Sequence, residues 1–224
     1  MFVWGLAVMC AAVGAVTGWY APTLTQRTTD LTIHTAMPIR VLVGVVGGLC
    51  IGWTTTPLAA LPATVVFVVS GTVLFLIDAE HHRLPNRWTL YGAAAMASCY
   101  VVAGFTNGAD GRSALIRAVV GAAVLACIYL LLVLIHPRGM GVGDAKLALS
   151  IGLILGWAGY AELLVGAFAA FVFASIVGVA LIIVKRADLT SHIPFGPYML
   201  TGSWTGLLVG QSVADWYLGL TIGG

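Results

Sequence analysis

The chain has 224 residues, 60% of them hydrophobic and only 8% charged, with a formal net charge of +2. A water-soluble globule carries about a quarter charged residues, so this composition excludes one. The net charge itself says little about partners, and no run of basic residues points to nucleic-acid binding.

Apolar stretches long enough for a hydrocarbon core of ~30 Å recur along the whole length. They lack the apolar/polar alternation of barrel strands, and 28 glycines lie in mostly apolar surroundings. The expected fold is therefore all-α: one polytopic membrane domain over residues 1–224, with about eight transmembrane helices and no separate soluble domain. The first run, about Phe2 to Tyr20, has no positively charged start and reads as a retained span rather than a removable leader.

A polar stretch, Thr23 to Arg40, follows. Apolar sequence from Val41 to Ile77 is too long for one helix, and Thr54-Thr-Thr-Pro57 with Pro62 divides it in two. Next comes a polar loop, Asp78-Ala-Glu-His-His-Arg-Leu-Pro-Asn86, then a span from about Trp88 to Phe105. Asn107 to Gly111 is a turn, and the fifth span runs from about Ser113 to Ile135. A glycine-rich loop, Gly139-Met-Gly-Val-Gly-Asp144, leads into a sixth span over Ala145 to Trp157, which rises only ~20 Å at 1.5 Å per residue. Gly156 to Glu162 separates it from a seventh span ending near Val184. The last runs from about Tyr198 to Leu220.

Charge placement supports eight crossings. With the N-terminus outside, Arg27, Arg40, Arg83, Arg87, Arg138, Lys146, Lys185 and Arg186 share the cytoplasmic face, and only Arg112 and Arg117 lie outside. Asp78 and Asp144 then fall at the same depth, on that cytoplasmic side. Glu162 and Asp215 lie at the opposite face and read as solvated helix ends.

Acids at a membrane boundary face a bundle interior or a water-filled cavity, because lipid exposure is costly. Two that converge share a proton, since like charges a few Å apart do not both ionise cheaply. One then takes a proton from water while the other donates to a peptide carbonyl. Gly139, Gly141 and Gly143 allow close backbone approach beside the second acid. A plain helix-capping role for Asp144 competes with this reading. Pro85 keeps Leu84 out of helical geometry, and Asn86 is placed to cap the helix near Trp88. Arg83 and Arg87 read as interfacial anchors, and so does Lys146, which lies two positions from Asp144 and on another helix face.

No metal or cofactor is expected. His81 and His82 beside Glu80 make a poor ligand set, and no HExxH pattern occurs. Cys10, Cys50, Cys99 and Cys127 all fall inside apolar runs without a CxxC pair, so they read as small packed side chains.

Asp78 with Leu84-Pro-Asn86, then Gly139-Met-Gly-Val-Gly-Asp144-Ala-Lys146, then Pro194-Phe-Gly-Pro197, resemble the ordered motifs of the type IV prepilin peptidases, GxGD-type intramembrane aspartic proteases. The similarity covers nearly all of the chain. It implies removal of a basic leader from single-span prepilin-like or pseudopilin precursors. It also implies a multi-pass location in a prokaryotic inner or plasma membrane, with the site facing the cytoplasm. By motif match Asp78 and Asp144 are the catalytic pair. Glu80 is a reserve candidate for the first acid, and Pro194, Phe195, Gly196 and Pro197 form a loop near the site. The bifunctional members carry a cysteine-bearing loop between the first two spans and also N-methylate their product. About Ala21 to Arg40 here has no cysteine and is too short to bury a core, so the chain resembles the compact, peptidase-only members. The competing class is a small proton-coupled transporter using the acids as a relay, which would favour acids near the midplane.

Overall fold

The computed structural model describes residues 2–54, 58–136, 140–184 and 194–222. Thr55 to Pro57 of the expected break, and Arg138, Gly139, Lys185 and Arg186, lie outside the described residues. Eight α-helices are described: α1 (Phe2–Thr29), α2 (Met37–Thr54), α3 (Leu61–His81), α4 (Asn86–Thr106), α5 (Gly108–Ile135), α6 (Val142–Ala158), α7 (Tyr160–Ile183) and α8 (Gly196–Ile222). A short 3-10 turn, Leu58–Ala60, precedes α3. Helices α1 to α5 and α7 are long and apolar enough to cross a membrane, α3 being counted with that turn. Helices α6 and α8 fall outside that measure.

Helix α1 continues nine residues beyond its expected end at Tyr20, through Pro22. The threonines of this stretch turn their hydroxyls onto the helix itself. The hydroxyls of Thr17, Thr28 and Thr29 donate to the carbonyls of Val13, Leu24 and Thr25 at 2.7–2.9 Å, and Thr25 donates to Pro22 at 3.0 Å. Each of these hydroxyls is satisfied on its own preceding turn, so none needs a partner outside the helix. Helix α3 likewise runs past Ile77 to His81, which puts Asp78 in its last turn rather than in a loop. His82 closes that helix in the left-handed conformation (φ 52°), its N–H donating to the Asp78 carbonyl at 3.0 Å.

Chain neighbours pair through glycine. A Cβ at Gly14 would lie 1.9 Å from the Gly44 carbonyl oxygen, so α1 and α2 are in backbone contact there. Gly121 and Gly152 seat α5 against α6, and Gly166, Gly202 and Gly206 seat α7 against α8. Among the described helices α6 is the shortest, and it is buried along most of its length, from Asp144 through Trp157. Its neighbours α3, α4, α5, α7 and α8 surround it. A 17-residue helix suits that position, because its flanks meet protein rather than lipid.

Candidate active site

The C-terminal end of α3 and the N-terminal ends of α4, α6 and α8 meet at one end of the bundle. A cavity of about 510 Å³ opens there, lined by Asp78, Asp144, His82, Arg83, Leu84, Pro85, Asn86, Gly141, Gly143, Pro194 and Phe195, with Thr29 and Leu31 from the end of α1 and the segment after it. Both acids are thus on one cavity wall system, and both are buried, Asp78 to 4% exposure and Asp144 to 6%.

Each carboxylate is held by a glycine N–H. The Gly141 N–H donates to Asp144 Oδ2 at 2.9 Å, from three residues upstream. The Gly196 N–H donates to Asp78 Oδ2, also at 2.9 Å, from the far end of the chain. Helix N-termini carry unpaired N–H groups, and the starts of α6 and α8 each give one to an acid. Asp144 does cap its own helix, as the plainer expectation held, and it lines the cavity as well.

Contacts between motifs join these pieces. Leu84 packs on Gly143, where a Cβ would approach the Leu84 Cβ to 2.8 Å. Lys146 Nζ donates to Asn86 Oδ1 at 2.7 Å. Two expectations change here. Asn86 is the first residue of α4, after Pro85, and makes no side-chain cap. Lys146 is a bridge from α6 to α4 rather than only an interfacial anchor. Gly196 lies so close to Asp78 that a Cβ there would stand 2.6 Å from Oδ2.

Phe195 holds the α8 entrance in place. Its ring lies 5.9 Å from Tyr129 of α5 and 5.3 Å from Phe171 of α7, and those two rings are 5.6 Å apart. Neither Tyr129 nor Phe171 stood out in the sequence, because each is one aromatic residue within an apolar run. His82, Thr29 and Leu31 were also missed as cavity residues. No spacing marks them.

Glu80 does not line the cavity. Its carboxylate accepts from the backbone N–H groups of His34 and Thr35 and from the Thr35 hydroxyl, on the segment joining α1 to α2. Among the described residues no group of three or more His, Cys, Asp or Glu is arranged to hold a metal ion. At the other end of the bundle Glu162 departs from its expected solvated state: its Oε2 is buried without a hydrogen-bond partner, beside a second cavity. Asp215 is exposed and accepts from Gln211.

Comparison with known proteins matches residues 65–183 to the type IV leader peptidase family. That span includes Asp78, Glu80, Leu84 to Asn86 and Gly139 to Lys146, and ends before Pro194. The prepilin leader peptidase/N-methyltransferase of Aeromonas hydrophila is 35% identical over 173 residues, which is 75% of this chain and 54% of that protein. The protein of the same description from Stutzerimonas stutzeri is 31% identical over 144 residues, 64% of this chain and 48% of its own length. Leader peptidase HopD of Escherichia coli is 30% identical over 158 residues, 68% of this chain and 99% of HopD. The chain therefore spans about half the length of the prepilin leader peptidase/N-methyltransferases and nearly all of HopD. No solved structure matches it.

Proposed function

The chain belongs to the type IV leader peptidase family, and on that premise we propose that it is a membrane-embedded aspartic endopeptidase removing the basic leader from type IV prepilin-like or pseudopilin precursors. The observation that carries the reading is the pair of buried carboxyls on one cavity, each with one oxygen engaged by a backbone N–H.

Among the described hydrogen bonds, the second oxygen of each acid is left for water or substrate. One acid is ionised and takes a proton from water as the water oxygen attacks the scissile carbonyl carbon. Its neutral partner gives its proton to the carbonyl oxygen, producing a tetrahedral diol. Collapse of the diol breaks the C–N bond: the first acid gives its proton to the amide nitrogen, the second acid regains a proton from one diol hydroxyl as the C=O re-forms, and a carboxylic acid and an amine leave. Neither cofactor nor metal has a part in this sequence. Cleavage declines at low pH as the base is protonated and at high pH as the shared proton is lost.

The acid-bearing end is assigned to the cytoplasmic side of a prokaryotic inner or plasma membrane. Arg27, Arg40, Arg83, Arg87 and Lys146 cluster near that end of the helices, and Arg112 and Arg117 near the other. The assignment is of peptidase activity alone, because residues 30–36 between α1 and α2 carry no cysteine and are too few to bury a core of their own. Catalytic acids at one edge, rather than near the midplane, weigh against a proton-coupled transporter.

The test is incubation of detergent-purified protein with a candidate precursor, with and without chelator. Wild-type protein yields a shortened product in both. Asp78→Asn and Asp144→Asn each yield none while remaining folded. A variant that still cuts at the wild-type rate sinks the two-acid mechanism.

A further inference from the structure

The segment between α1 and α2, residues 30–36, lies along the C-terminal end of α3 as a strap. It begins with Asp30 in the left-handed conformation (φ 57°), which turns the chain sharply off α1. Ile33 plugs it into the bundle. That side chain is 5% exposed and packs with Ala21, Val73, Leu76 and Ile77, the last of these beside Asp78.

Polar contacts hold the rest. Glu80 Oε2 accepts from the His34 N–H at 2.8 Å, and Oε1 accepts from both the N–H and the hydroxyl of Thr35. His81 Nε2 donates to the Thr32 carbonyl at 2.8 Å. Arg40 Nη1 donates to the Thr35 carbonyl at 2.8 Å. Just upstream, Trp88 Nε1 donates to Thr28 Oγ1 at 3.0 Å, and Arg87 donates to the Thr28 carbonyl. Thr29 and Leu31, between these fastenings, line the cavity with both aspartates.

We infer that Glu80 is a positioning residue for substrate capture: its carboxylate fixes the strap whose Thr29 and Leu31 end forms one wall of the cavity. This rests on the peptidase reading and goes beyond it, because it assigns Glu80 a role in binding rather than in proton transfer. A carboxylate with three donors on a distant segment is stabilised as an acceptor and is not free to act on a scissile bond. Removing it leaves two backbone N–H groups without their partner and releases the middle of the strap, while the glycine N–H bonds of Asp78 and Asp144 are untouched.

Three measurements on the whole 224-residue chain test this. In cleavage assays Glu80→Ala is expected to raise KM ~10-fold with kcat within ~2-fold, the pattern of lost uniform binding. Glu80→Gln keeps one acceptor oxygen and falls between. Hydrogen exchange without substrate is expected to accelerate across residues 30–36 in Glu80→Ala, and partly in Thr35→Val. Precursor affinity for Asp144→Asn protein should weaken ~10-fold when Glu80→Ala is added.

A kcat loss of ~1,000-fold with unchanged strap exchange would overturn the inference and place Glu80 among the reacting groups. So would a loosened strap with unaltered KM and affinity, which would make the clamp purely structural. Failure of the peptidase reading is separate: it appears as wild-type protein that does not cleave, or as Asp78→Asn protein that does. The exchange measurement, made without substrate, reads the hold of Glu80 on the strap in either case.

Discussion

Asp78 and Asp144 are anchored by the same kind of bond at the same length, but from opposite distances in the chain. Asp144 is held by Gly141, three residues away, in the first turn of its own helix. Asp78 sits in the last turn of α3 and is held by Gly196 at the start of α8, 118 residues away. The local anchor forms as soon as α6 forms. The distant one requires α8 to be docked, with Phe195 seated against the stacked pair Tyr129 and Phe171. One acid is therefore placed by secondary structure and the other by tertiary packing, and the two should respond differently to changes in their glycines.

The largest expected effect does not discriminate between them. Asp78→Asn and Asp144→Asn each lower the cleavage rate by about 1,000-fold or more, as when one member of a catalytic unit is lost. Circular dichroism and melting behaviour should stay near wild type. The comparison sharpens with Gly196→Ala, whose new methyl would stand 2.6 Å from Asp78 Oδ2 and 3.1 Å from its Cγ. The carboxyl is displaced and its N–H bond lost, and a misplacement on the order of 1 Å costs about 100-fold in kcat.

Gly143→Ala comes next. Its methyl would meet Leu84 Cβ at 2.8 Å, and overpacking of this kind costs about 1–3 kcal/mol. Thermal unfolding should show that loss, and Leu84→Gly on the same chain, which removes the Cβ in contact, should recover part of it. The smallest effect is at Gly141. Among the described residues a Cβ there finds nothing nearer than Asp144 Oδ2 at 3.5 Å, on a backbone at φ −85° that any residue adopts. Gly141→Ala is expected to keep kcat within ~2-fold. A severe loss in that variant would break the contrast, by showing that the local anchor tolerates no more than the distant one.

Much of the fold was legible because apolar length and charge placement are written locally. The helices, their order and the position of both acids at one end followed from hydropathy and turn residues. Helix ends were read less well, for a physical reason. Thr25, Thr28 and Thr29 look polar in a sequence but hide their hydroxyls on the preceding turn. Asp-Ala-Glu-His continues a helix readily where hydropathy alone marks a loop. The capping geometry of Asp144 was legible from a glycine-rich stretch leading into an apolar run. The engagement of Glu80 by His34 and Thr35 was not, since 45 and 46 residues separate the partners and neither has a distinctive spacing.

Composition and motif order alone determined an all-helical membrane chain with two acids at matching helix ends, because hydrophobic length and local capping are properties of short segments. Which oxygen each acid offers, which glycines are indispensable, and what Glu80 and Lys146 hold were decided only when distant helix ends came together. Those properties depend on contacts of about 3 Å between residues far apart in the chain, and such contacts exist only once the helices have packed.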